Sequence, residues 1–162
     1  MRSDKQTIEA LEEAIYREIG AFRFYSAVAG EITNSGGKKK FREIADDEKR
    51  HREKLESWYN ELSSEPFELS DDRMEESEIK GIRLDQRTGA EKALDIAIEA
   101  ELKANEFYSE QAEKVDHQDL KELYLTLAED EEGHYNLLVA EKNAMAGGFY
   151  WFDMDSTAFM ED

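Results

Sequence analysis

Cysteine is absent from the 162-residue chain, which excludes disulfides, thiolate metal sites and cysteine nucleophiles. Proline occurs once, at Pro66, and glycine only nine times, so long stretches are free to be helical. No run approaches the roughly 20 apolar residues of a membrane span. The opening MRSDKQTIEALEEA has none of the apolar stretch of a secretory signal. The expectation is a soluble, cytoplasmic protein with no membrane partner. Basic residues are scarce as well: 21 stand against 40 acids, a net charge of −19. Such a surface repels nucleic acid and anionic lipid and draws cations. Solvated helix faces account for most of that charge, so it locates no site. What the chain does have is two Trp, seven Tyr and eight Phe, enough to argue against disorder and for one domain with a substantial core.

Apolar residues recur at helical spacing in four segments. The first runs from about Lys5 to Glu31, behind a Ser3–Gln6 capping box. The second follows the breaker Asn34-Ser35-Gly36-Gly37 and runs to about Leu62. The third starts at a Thr88–Glu91 capping box and runs to about Val115; the fourth follows Asp116 as N-cap and stops near Gly147-Gly148. Short joins make the first and second segments, and the third and fourth, antiparallel neighbours. The acidic stretch from Ser63 to Arg87 is long enough to cross the bundle, with a short helical turn around Asp72–Ile79. The fold class is all-α: an antiparallel four-helix bundle over residues 1–146, built from two hairpins joined by a long crossover. Residues 147–162 form an aromatic, acidic tail that either packs on the bundle or makes a subunit contact.

The two hairpins match at a constant offset of 83 residues. Leu11, Ile15, Glu18, Phe24 and Tyr25 correspond to Leu94, Ile98, Glu101, Phe107 and Tyr108; Asp47, Glu48, His51 and Leu55 correspond to Asp130, Glu131, His134 and Leu138. This repeat predicts a pseudo-twofold axis along the bundle. Stepping along each core stripe by three and four then exposes an anomaly. The first stripe reads Ile15, Glu18, Phe22, Tyr25; the second Ile44, Glu48, His51, Leu55; the third Ile98, Glu101, Asn105, Tyr108; the fourth Leu127, Glu131, His134, Leu138. A buried, unpaired carboxylate costs several kcal/mol, and four of them rival the whole stability of a domain, about 5–15 kcal/mol. No Lys or Arg lies on the stripes at those levels, so metal is the candidate counter-charge. Two divalent ions cancel four carboxylates. Oxygen mixed with imidazole nitrogen suits iron or manganese and, without thiolate, disfavours a structural zinc site, though zinc could substitute. Glutamate supplies 27 of 162 residues, so one Glu-x-x-His means little; two at a shared offset and in phase mean much more. His117, at a turn beside Asp116, reads as a surface residue.

Glu18–Tyr25, Glu48–His51, Glu101–Tyr108 and Glu131–His134 together resemble the rubrerythrin branch of the ferritin-like superfamily, over roughly residues 5–146. The resemblance implies that Glu18 and His51 hold one iron, Glu101 and His134 the other, and that Glu48 and Glu131 bridge them. It implies that Asp47 and Asp130 accept the free ring N–H of the histidine on the facing helix, against the plainer reading of solvated aspartates. Tyr25 and Tyr108 are the candidate catalytic residues, either bonded to ligands or relaying electrons, with simple core packing as the alternative. Asn105 stands where the other half has Phe22 and is a further candidate for contact with the site.

Two departures matter. Rubrerythrin proper has a four-cysteine rubredoxin-like site, which this chain lacks, so electrons are expected from a separate, rubredoxin-type donor. Rubrerythrin also has an extra glutamate ligand on the third helix; here Ile98, Ala104 and Asn105 occupy the neighbouring turns, and the six-ligand set resembles the symmetric site of bacterioferritin instead. The leading expectation is an oxidoreductase that reduces hydrogen peroxide or dioxygen, working as a homodimer in oxidative-stress protection. The alternatives are iron oxidation with storage or delivery, and a non-enzymatic metal-binding scaffold.

Overall fold

The computed structural model describes residues 2–32, 34–77 and 86–146, with only the backbone for 75–77, 86–90 and 145–146. Five helices and no strands occur among the described residues: α1 (Asp4–Glu31), α2 (Ser35–Ser63), α3 (Asp71–Ser77), α4 (Gln86–Lys114) and α5 (Gln118–Ala146). The four long helices form the expected ferritin-like bundle, α1 packing on α2 and α4 on α5, while α3 lies against α1. The capping residue Gly147, the end of the expected turn at Ile79, and the tail 147–162 fall outside the described residues. No helix among the described residues is long and apolar enough to cross a membrane.

Helix α1 starts at the anticipated capping box: Ser3 Oγ accepts from Gln6 N at 3.2 Å, and Gln6 Oε1 accepts from Ser3 N at 3.1 Å. Three other starts differ from expectation. Asn34 is itself the N-cap of α2, its Oδ1 accepting from Gly37 N at 3.0 Å, so both glycines lie in the first turn rather than in a loop. A Cβ on Gly36 would come within 3.2 Å of that same oxygen. Helix α4 begins at Gln86, which places Thr88 inside the helix rather than at its cap. Helix α5 begins at Gln118, with the first helical bond from Lys121 N to His117 O, so Asp116 sits one residue outside the cap. Several capping residue types cluster before each helix, and pattern alone does not choose between them.

Burial divides the core into two apolar clusters. One contains Leu11, Ile15, Leu55, Tyr108, Leu120 and Leu127; the other contains Phe24, Val28, Phe41, Ile44, Leu94 and Leu138. Along α1 and α5 the chain passes from the first cluster to the second, and along α2 and α4 from the second to the first. In α2, α4 and α5 the glutamate falls between them, and in α1 Glu18 sits beside Ile19 at the inner edge of the first. Each large side chain so buried contributes about 1.5–3 kcal/mol, and these two ends hold the acidic middle shut.

The crossover is anchored on α1. Tyr16 Oη accepts from Ser70 N at 2.8 Å, and its ring meets Phe67 edge-on at 5.5 Å. Tyr16→Phe should therefore cost about 1 kcal/mol through an unpaired amide, whereas Leu55→Ala, in the fully buried core, should cost about 2–5 kcal/mol. Urea midpoints of the two variants check the ranking; equal losses would mean that the crossover is not anchored through this hydroxyl.

Candidate metal centre

The six stripe-breaking residues converge. Glu18 from α1, Glu48 and His51 from α2, Glu101 from α4, and Glu131 and His134 from α5 are all buried. They fall into two sets: Glu18, Glu48, His51 and Glu131, and Glu48, Glu101, Glu131 and His134, with the ligand atoms of each set within 4.8 Å of one another. Glu48 and Glu131 belong to both. The arrangement follows from the helix period, since residues three apart in Glu-x-x-His lie on one face about one turn apart.

Each histidine presents its two nitrogens to different surroundings. His51 Nε2 is 3.0 Å from Asp130 Oδ2, and His134 Nε2 is 2.8 Å from Asp47 Oδ2. Both aspartates are partly open to water. The other nitrogens point inward. His51 Nδ1 lies 3.4 Å from Glu18 and 3.3 Å from Glu131; His134 Nδ1 lies 3.2 Å from Glu48, 3.5 Å from Glu101 and 3.4 Å from Glu131. Neither Nδ1 is aligned as a hydrogen-bond donor to any of these oxygens.

The tyrosines bind across the bundle. Tyr25 Oη donates to Glu101 Oε1 at 2.6 Å, and Tyr108 Oη donates to Glu18 Oε1. The hydroxyl of each hairpin thus serves the carboxylate of the other, as do the aspartate–histidine pairs. Asn105 is placed differently from the expectation: its amide nitrogen donates to the carbonyl of Ala128 at 2.7 Å, tying α4 to α5. His117 is exposed, with its ring 6.1 Å from that of Trp58.

Burial raises the affinity of Glu18, Glu48 and Glu101 for protons, and neighbouring carboxylates, above all Glu131, raise it further, Glu101 to about 8. Burial works the same way on Glu131, but contacts from His134 and His51 overcome it and hold this carboxyl below its usual range. Burial disfavours charge on the imidazoles; the surrounding carboxylates prevail and push His51 up to about 10, with His134 raised further. Tyr25 and Tyr108 are raised by burial and then by their carboxylate partners, so both keep their protons near neutrality.

The donor set fits a pair of cations. One atom on each of the six residues is buried without a hydrogen-bond partner: Glu18 Oε2, Glu48 Oε1, His51 Nδ1, Glu101 Oε2, Glu131 Oε1 and His134 Nδ1. Each such orphan costs about 1–3 kcal/mol. Six on convergent side chains are a donor set that a pair of cations, acting on all of them, would satisfy.

Sequence reasoning did not identify the approach to this cluster. A cavity opens between α1 and α4, reaching the carboxylates past Ala21, Ala100 and Ala104. Ala21 and Ala104 are related by the same offset of 83 residues, which is the signal that marks them.

The rubrerythrin family profile matches residues 9–142. Among solved structures the chain is similar to a hypothetical protein from Pyrococcus furiosus, at 26% identity and a TM-score of 0.67 over 86% of this chain and 90% of that one. It is also similar to a dodecameric thioferritin, a bacterioferritin-related protein from Bacteroides fragilis, at 20% identity and 0.70 over 91% and 92%. Rhodobacter capsulatus bacterioferritin, described with a metal-free dinuclear site and haem iron, matches at 23% identity and 0.70 over 89% and 88%. No curated protein matches the chain significantly. The last two structures share its fold; the profile and the carboxylate–histidine cluster support a two-iron protein. A profile that spans most of the chain and all six convergent residues means that the chain belongs to the rubrerythrin family.

Proposed function

We propose that this protein is a two-iron oxidoreductase that reduces hydrogen peroxide with electrons from a separate donor protein. The observation that carries the reading is the convergence of six buried, unpartnered donor atoms on two overlapping sets of ligands. Glu18 and His51 would hold one iron, Glu101 and His134 the other, with Glu48 and Glu131 shared. When bound, two ferrous ions supply two electrons together, so that peroxide, with two protons, goes to two waters without release of a radical.

The chain's own residues do the rest. Asp47 and Asp130 fix the imidazoles by accepting at Nε2, which leaves Nδ1 as the ligand atom and makes it more basic. Tyr25 and Tyr108 each hold a proton on a carboxylate oxygen of the opposite hairpin, orienting Glu101 and Glu18 and placing a proton beside the reacting centre. The apolar clusters above and below keep bulk water and stray reductants out. By likeness to the family, the donor is a separate protein of the rubredoxin type.

The symmetry of the ligand set favours one other reading, iron oxidation with storage. No seventh carboxylate replaces Ala104 or Asn105, and the latter is bonded to the Ala128 carbonyl. Anaerobic loading with Fe(II), then stopped-flow with peroxide and with dioxygen, separates the two. Faster oxidation by peroxide in a homodimer supports the oxidoreductase; preference for dioxygen with continued uptake into a large shell supports storage.

Two further outcomes follow from the geometry. Glu48→Ala or Glu131→Ala should abolish loading of the second metal, because each removes a ligand common to both sets; a metal count of two per chain in either variant would contradict the sharing. The second outcome concerns pH. Folding raises Glu101 from 4.5 to about 8, so between those values the metal-free folded state holds a proton that the unfolded chain releases. Stability therefore falls as pH rises through that window. His51 acts in the same direction: its contribution is whole below 6.5 and is lost as pH rises through about 10. Glu131, held low, opposes this only below its unfolded value of 4.5. Each proton so linked is worth about 1.4 kcal/mol per pH unit. Chelator-treated protein should lose denaturation midpoint between about pH 5.5 and 8.5, while iron-loaded protein gains, because metal binds the deprotonated ligands. Parallel curves for the two forms would contradict the assignment.

A further inference from the structure

The cavity between α1 and α4 has a volume of about 250 Å³. Its inner end is formed by Glu18, Glu48, Glu101 and Glu131 with Tyr25 and Tyr108, and neither histidine lines it. Its walls include Ala21 on α1 and Ala100 and Ala104 on α4, whose side chains are a single methyl. Two cations stand at the mouth, and both are engaged. Arg17 pairs with Glu13 at 3.3 Å and lies over the Phe107 ring at 4.4 Å; Lys103 pairs with Glu99 at 2.9 Å. These two cations stand against five lining carboxylates, Glu18, Glu48, Glu99, Glu101 and Glu131, so the opening repels anions. Among oxidants it suits a small uncharged molecule. One water takes about 30 Å³ in the liquid, so the volume exceeds the need of hydrogen peroxide several-fold and accommodates a short alkyl group.

From this geometry we propose that the α1–α4 cavity is the compartment that binds the oxidant, and that Ala21 and Ala104 set the largest hydroperoxide it admits. The substrate class is a small neutral hydroperoxide, its O–O end towards the carboxylates and any alkyl group among the alanines. This rests on the two-iron reading above and adds to it a size limit and a direction of approach.

Ala104→Leu and Ala21→Leu test the proposal in the full chain. Both positions are only partly buried, so the added bulk enters the cavity rather than the core. Crystals of the metal-free protein pressurised with xenon should show a xenon site between α1 and α4 that both variants lose. Both variants should still load two metals, counted with Co(II). Oxidation of the Fe(II)-loaded variants by tert-butyl hydroperoxide should slow by about tenfold or more, with a smaller loss for hydrogen peroxide, since one or two methylenes in a closed pocket discriminate on that scale. If the variants exclude xenon and load two metals but the ratio of the two rates stays as in the wild type, the cavity is not the oxidant compartment, and the two-iron reading stands. If the wild type loads two metals and neither hydroperoxide oxidises it, the oxidoreductase reading falls and the compartment with it.

Discussion

Mutual repulsion among four buried carboxylates is the constraint around which this bundle is built. Helix propensity and apolar burial account for the two ends of the bundle, where leucines, tyrosines and phenylalanines pack as in any helical protein. Neither accounts for the middle. There, charge has been put where desolvation penalises it most, and the geometry answers with convergence: every carboxylate faces another across the axis, and each imidazole turns one nitrogen inward. Without a metal, protons take up part of that role, which is why three glutamates bind them more tightly than usual and both histidines hold theirs into alkaline conditions.

The internal repeat supplies the convergence cheaply. A single hairpin carries Glu, Glu-x-x-His, Asp and Tyr; two copies related by an axis place each polar group opposite its twin. The partnerships then cross between copies, Asp47 to His134 and Asp130 to His51, Tyr25 to Glu101 and Tyr108 to Glu18. Neither hairpin completes the site alone, so docking of the hairpins and assembly of the donor set are one event. The symmetry breaks where packing or access demands it. Asn105 ties α4 to α5 where the equivalent position is Phe22, and Tyr124 stacks on Tyr108 where the equivalent pair is Phe41 and Tyr25.

Much of this was legible in the sequence because a carboxylate in an apolar stripe has few explanations. Glu18, Glu48, Glu101 and Glu131 stand out against the leucines beside them, and the repeat fixes their common depth, so fold class and the level of the cluster follow from spacing. The partners of Tyr25 and Tyr108 did not follow, because a stripe gives depth along a helix but not which neighbour a side chain meets. Asn105 misled for a similar reason: a polar residue one turn from the cluster looks like part of it, yet a backbone carbonyl of the adjacent helix was the nearer acceptor. The starts at Gln86 and Gln118 differ by three residues and by one from those that Thr88 and Asp116 as caps would give. The cavity was missed because alanine in a helix is common, and only the shared offset of Ala21 and Ala104 marks this pair.

Scanning calorimetry during anaerobic titration with Fe(II) tests the central claim most directly. Neutralising the buried cluster should raise the unfolding temperature steeply and stop at two ions per chain, with a gain of about 3 kcal/mol per ion once free metal reaches a hundredfold excess over its dissociation constant. An unfolding temperature that does not move, or that climbs without a break at two equivalents, would contradict it.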